Sequence, residues 1–112
     1  MRLPNADLAI IEDRKITQYL LSSIHPAGAP KAAFFGSFGF KASDWQRLRD
    51  ELLLHARLHD VTAKTVTPFG VSFEVEGPLT SPDSRNPWVL VVWFVRSGEQ
   101  VPRLVTAVPS KG

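Results

Sequence analysis

The stretch that decides the fold is Thr65-Val66-Thr67-Pro68-Phe69-Gly70-Val71-Ser72-Phe73-Glu74-Val75-Glu76. Val71, Phe73 and Val75 alternate with Ser72, Glu74 and Glu76, a period of two that buries one face of a strand and wets the other. In Thr67-Pro68-Phe69-Gly70 the proline stands second and the glycine fourth, the pattern of a tight turn. Val61 to Thr67 and Gly70 to Glu76 therefore read as a hairpin. Working outward, Gly77 to Asn86 holds Pro78, Pro82 and Asp83 and reads as a longer loop. Trp88 to Val95 is apolar on both faces, which suits an interior strand. Ser97-Gly98-Glu99-Gln100 turns the chain, and Pro102 to Val108 makes a fourth strand that starts at a proline, as a sheet edge tolerates.

Before Val61 the apolar residues follow a helical period instead. Ile16, Tyr19, Leu20 and Ile24 fall on one face of a helix predicted over 13–24, with Asp13 as its cap. Pro26, Gly28 and Pro30 then specify a loop, and Pro30 suits the first turn of a short helix over 31–38 that Gly36 and Gly39 tend to end. Ser43-Asp44-Trp45-Gln46 matches a capping box, opening a longer helix to near Asp60. Its buried stripe is Trp45, Leu48, Leu52 and Ala56, broadened by Leu53, while Arg47, Arg49, Asp50 and Arg57 face water. Helices first and strands after define the α+β class, with N-terminal helices packed on one face of a four-stranded antiparallel β-sheet meander. One domain over 1–112 is expected, with a helical half over 1–60 and the meander over 61–109.

Composition narrows function by exclusion. The chain has 112 residues, 13 Lys or Arg against 11 Asp or Glu, and no cysteine. Disulfide scaffolds, thiolate metal sites and cysteine nucleophiles are thereby excluded. The longest apolar run, Trp88 to Val95, is 8 residues, against ~20 for a membrane-spanning helix. Arg2 is followed by Leu3-Pro4-Asn5 and Asp7, unlike a secretory signal, so a cytoplasmic location with no membrane partner is expected. Net charge is +2, and neither half is a polycation, so any nucleic-acid site must be small and focused.

Few residues carry chemistry. His25 sits where a helix gives way to a Pro/Gly loop, six positions before Lys31. An imidazole near neutrality can exchange a proton, and a nearby ammonium can stabilise an anion; equally, His25 suits a helix C-terminus and Lys31 a solvated surface. Arg103 and Thr106 are three apart, so a regular ladder points them to opposite faces; a bulge or the end of the sheet is needed for both to serve one site. Trp93 could stack a base, although a tryptophan within Val-Val-Trp-Phe-Val also suits a core. His55 and His59 stand at i and i+4 on the long helix, a spacing that can chelate a metal, but the metalloprotease glutamate is absent and a structural role is expected. Glu74 and Glu76 share the wet face of a strand. No serine lies in a nucleophile-elbow setting, and there is no phosphate-binding glycine loop.

Over nearly its whole length the chain resembles a small bacterial family filed as a domain of unknown function. The matching pieces are Leu3-Pro4-Asn5-Ala6, Lys15-Ile16-Thr17-Gln18-Tyr19-Leu20-Leu21, and His25-Pro26 with Gly28 and Lys31-Ala32. Phe34-Phe35, Gly39-Phe40, Thr67-Pro68-Phe69-Gly70, Trp93-Phe94-Val95 and Val101-Pro102-Arg103-Leu104-Val105-Thr106-Ala107 complete them. The resemblance implies a stand-alone protein encoded beside a small cognate partner, in the manner of toxin–antitoxin pairs. The order of elements and the His-Pro-x-Gly-x-x-Lys-Ala segment are also similar, more weakly, to metal-independent ribonucleases of the barnase–EndoU–colicin–RelE class. That likeness implies His25 as general acid or base, Lys31 as its electrostatic partner, and Arg103 and Thr106 as contacts to the scissile phosphate. On the same likeness Trp93 and Lys41 are the substrate-binding candidates, RNA is a possible partner as substrate, and neither metal nor other cofactor is called for. The alternatives are a non-catalytic interaction module, such as the neutralising member of a pair, and a structural domain that dimerises through its sheet edges.

Overall fold

The computed structural model describes residues 1–111. A short 3₁₀ turn (Ala6–Leu8) leads to helix α1 (Asp13–Lys15), which runs directly into a π-helical turn (Ile16–Leu20). Helix α2 (Ala29–Ser37), a 3₁₀ turn (Ala42–Asp44) and helix α3 (Trp45–Leu58) follow. Strands β1 (Val61–Thr67), β2 (Gly70–Pro78), β3 (Trp88–Arg96) and β4 (Arg103–Pro109) then form an antiparallel sheet in the order β1-β2-β3-β4. This is the α+β meander expected, with β3 interior.

The period-two strands set the core. Phe73 and Val75 from β2, Val89, Val91 and Trp93 from β3, and Leu104 and Ala107 from β4 are buried, and they meet Ile16, Leu20, Phe35, Leu48, Leu52 and Ala56 from the helices. Ser72, Glu74, Glu76, Leu90, Val92 and Phe94 alternate with them and remain partly exposed. The hairpin forms as expected: Thr67 pairs with Gly70, and the Thr67 hydroxyl accepts the Phe69 amide at 3.2 Å.

The helical half departs from expectation in three places. The first helix does not continue to Ile24. After Lys15 it widens, so that the Leu21 amide donates to the Ile16 carbonyl five residues back, and it ends at Leu20. Ile24 lies outside it and is 91% exposed. Asp13 opens α1 rather than capping it, since the cap residue is Glu12 and makes no side-chain cap bond. The capping box is absent as well: the 3₁₀ turn takes up Ser43, and α3 begins after Asp44 without a side-chain cap bond. Its stripe is as predicted at Leu48, Leu52 and Ala56, all fully buried, with Trp45 and Leu53 packed against the core.

Two features place the site. On β4 the register slips by one between Val92 and Trp93: Thr106 faces Val92, Leu104 faces Trp93, and Val105 is the extra residue of a bulge. Arg103 faces Phe94, and cross-strand partners share a face. The bulge therefore brings Arg103 and Thr106, three apart, to the same side of the sheet. Second, the β4 edge is partly covered by the chain before α1. The Ile10 amide donates to the Pro102 carbonyl at 2.9 Å, and the Leu104 amide to the Ile10 carbonyl at 3.1 Å.

Candidate functional site

The site lies where the π turn meets the rim of β4, and Tyr19 is its hub. The Tyr19 hydroxyl and Thr106 Oγ1 are 2.8 Å apart, a hydrogen bond joining the first helical segment to the last strand. The ammonium groups of Lys15 and Lys31 lie 5.5 and 5.3 Å from the centre of the Tyr19 ring, within the range of cation–π attraction. The His25 ring meets Tyr19 edge-on at 5.1 Å between centres. A π-helical turn of this kind re-aims side chains and is frequent at functional sites.

Local chemistry explains how His25 is held. Its Nδ1 accepts the backbone amides of Ala27 at 3.0 Å and Gly28 at 2.9 Å. Two N–H groups can approach only a lone pair, so the neutral ring carries its hydrogen on Nε2. The Ser22 hydroxyl accepts the His25 amide at 3.2 Å, and Lys31 Nζ donates to the Ala27 carbonyl at 2.9 Å, closing the loop from both ends. Gly28 makes this closure possible. A Cβ there would lie 2.1 Å from the Tyr19 carbonyl oxygen, so the loop can pack on the π turn only with glycine at this position.

The bulge contributes as well. The Val105 carbonyl accepts Lys15 Nζ at 3.3 Å, so the ammonium that flanks Tyr19 is also tied to β4. His25 lines an open cavity of about 410 Å³ with Thr17, Gln18, Ser22 and Ile24. Arg103 lines another of about 200 Å³, together with Glu12, Lys15, Phe94, Arg96, Leu104 and Val105. Glu99 Oε2 is 3.8 Å from Arg103 Nε, and this nitrogen is buried without a hydrogen-bond partner.

Of the six residues singled out in the sequence, the structure thus gathers His25, Lys31 and Thr106 around Tyr19. Arg103 is placed in a neighbouring recess that shares Lys15. Trp93 is fully buried on the core face and has no ring face to offer a base, so it is a core residue, not a stacking platform. Lys41 lines a different recess with Asp44 and Arg47. Tyr19 and Lys15 are the residues that spacing and composition missed. Their signal was present as the pair Lys15/Tyr19, one turn apart beside a Pro/Gly loop, but Tyr19 reads as one more apolar-face residue of the helix.

His55 and His59 serve packing. The buried His55 ring hydrogen-bonds the Gly77 carbonyl through Nε2 at 3.1 Å, and His59 Nε2 lies 3.0 Å from the Pro78 carbonyl. Burial lowers the His55 pKa from its usual 6.5 to about 4, and the neighbouring His59 adds to the effect. Among the described residues no group of three or more His, Asp or Glu is arranged to hold a metal ion. No described helix is long and apolar enough to cross a membrane.

The arrangement of three helices and a four-stranded meander is shared with a chain from a contact-dependent growth inhibition toxin–immunity protein complex of Klebsiella pneumoniae 342. The two superpose with a TM-score of 0.70 over 96% of this chain and 97% of that one, at 12% sequence identity. At that identity the likeness is one of fold. The chain belongs to the family described as Domain of unknown function (DUF6883), whose model matches residues 2–111. No curated protein matches it.

Proposed function

We propose that this chain is a metal-independent endoribonuclease of a toxin pair, restrained by a cognate partner protein and acting on RNA in the cytoplasm. The observation that carries the reading is the Tyr19–Thr106 hydrogen bond at 2.8 Å with two ammonium groups and one imidazole arrayed around it. This is a focused cationic site on a chain of net charge +2, as cleavage of a single phosphodiester needs. The fold shared with a member of a toxin–immunity complex supports both the toxin reading and the partner.

RNA cleavage through its own 2′-hydroxyl requires no metal. The 2′-oxygen attacks phosphorus, the P–O5′ bond breaks, and the 2′-proton ends on the 5′-oxygen, leaving a 2′,3′-cyclic phosphate and a 5′-hydroxyl. The enzyme has to hold the pentavalent anion and ease the proton's passage. Lys15 and Lys31 supply positive charge, the Tyr19–Thr106 pair supplies the one hydroxyl hydrogen not spent on its mutual bond, and His25 presents Nε2–H to a phosphoryl oxygen. For His25 to act as the base, Nδ1 has to leave the Ala27 and Gly28 amides. In the loop-bound state the ring works as a donor, one source of the ~10²–10³-fold that a single preorganised donor provides. Arg103 adds charge along the same rim.

The test is to incubate the purified chain with RNA in excess EDTA and to express it alone in cells. Cleavage to cyclic-phosphate ends that survives the chelator, together with growth arrest, is expected. A folded chain that neither cleaves RNA nor slows growth is instead the non-catalytic member of a pair.

A further inference from the structure

The recess beside the hub has its own electrostatic logic. Lys15, Arg96 and Arg103 line it, with the half-buried Phe94 ring among them. Arg103 Nε is buried and makes no hydrogen bond, so the guanidinium has no close partner, while its side chain, 34% exposed, keeps a surface on which an anion's oxygen can be held. The carboxylate nearest to it is a poor match. Glu99 stands 4.0 Å from Arg96 and 3.8 Å from Arg103, near enough to offset charge and too far for a hydrogen bond. Glu12, also at the recess, is engaged by Arg14 at 2.9 Å. Lys15 belongs to both places, since it flanks Tyr19 and lines this recess.

We infer that this recess binds a second phosphate of the RNA chain, apart from the scissile one at Tyr19 and Thr106, through Arg103, Arg96 and Lys15. The inference rests on the ribonuclease reading and names its substrate as an extended strand of several nucleotides. Glu99 occupies the arginines loosely until RNA displaces it. Arg103 thereby acts at a neighbouring phosphate, which explains why it lines a cavity other than that of His25. Phe94 gives the adjoining ribose or base an apolar wall.

The probes are 2′-O-methyl oligoribonucleotides of two, four and eight residues, which bind without being cleaved. Affinity of the parent should rise from the dinucleotide to the tetranucleotide. Arg96→Ala should remove most of that rise, a loss of about tenfold, and should flatten the salt dependence by about one phosphate contact. Glu99→Gln should act in the opposite sense and tighten the longer probes, an effect that a merely structural role does not produce. Circular dichroism checks that each variant is folded. If both variants keep the parent's dependence on length, the second-phosphate site is wrong, whatever becomes of cleavage. If poly-glutamate competes as well as RNA of equal charge, the recess belongs to an acidic protein segment and the inference falls. Failure to bind any of the oligonucleotides at low salt would remove the ribonuclease reading itself, whereas a dinucleotide bound as tightly as an octanucleotide removes only the second site.

Discussion

At the scale of single residues, the state of the His25 ring decides what it can do. With Nδ1 filled by two backbone amides, the ring offers a substrate one hydrogen, on Nε2. His25→Ala should lower RNA cleavage by ~10²–10³-fold, the usual effect of losing one preorganised donor. His25→Gln, which keeps an N–H at the tip, should retain activity closer to the parent than to the alanine variant. Single-turnover rates on a short RNA separate the two, and equal loss in both variants would show that proton exchange is needed. The sequence raised His25 by its place where a helix was expected to give way to a Pro/Gly loop, and only the family resemblance gave it a chemical role over that of a helix cap. It could not show Tyr19 as the hub, because an apolar-face tyrosine looks the same whether its hydroxyl ends in solvent or on a strand 87 residues away.

At the scale of elements, two junctions hold the site and the core in register. The His25 loop rests on the π turn through Gly28, where an added Cβ would collide with the Tyr19 carbonyl. Gly28→Ala should cost about 1–3 kcal/mol of stability, as overpacking does, and should reduce cleavage further by displacing His25. Chemical denaturation measures the first effect and residual activity under native conditions the second. The other junction joins α3 to the sheet through His55. Its folded pKa of about 4 lies below the ordinary 6.5, so the unfolded chain takes up the proton first. Stability contributed by this group is complete above pH 6.5 and declines as pH falls from there through 4, by about 3 kcal/mol in all. Thermal melts from pH 7 to 4 should show this slope, and His55→Gln, which retains a donor for the Gly77 carbonyl, should flatten it. The helix stripe was legible from period alone. The π turn was not, because one widened turn leaves the spacing of Ile16 and Leu20 compatible with an ordinary helix.

For the molecule as a whole, one core carries both halves, and Trp93 lies at its centre, fully buried with its indole N–H unpaired. Trp93→Ala should cost about 3–5 kcal/mol, and loss of RNA cleavage should follow unfolding, not precede it. Trp93→Phe should cost less, because removing an unsatisfied donor offsets part of the lost packing; denaturant midpoints of the two variants test the order. Alternation in β2, the Thr67–Gly70 turn and the apolar run of β3 were enough to establish the α+β meander, because strand period and turn chemistry are local properties written in adjacent residues. What only the tertiary structure decided is where chemistry gathers. A single extra residue at Val105 turned Arg103 and Thr106 to one face, and His25 and Arg103 came to line separate cavities with no residue in common. Such outcomes depend on how elements distant in sequence settle against one another, and no window of neighbouring residues contains that information.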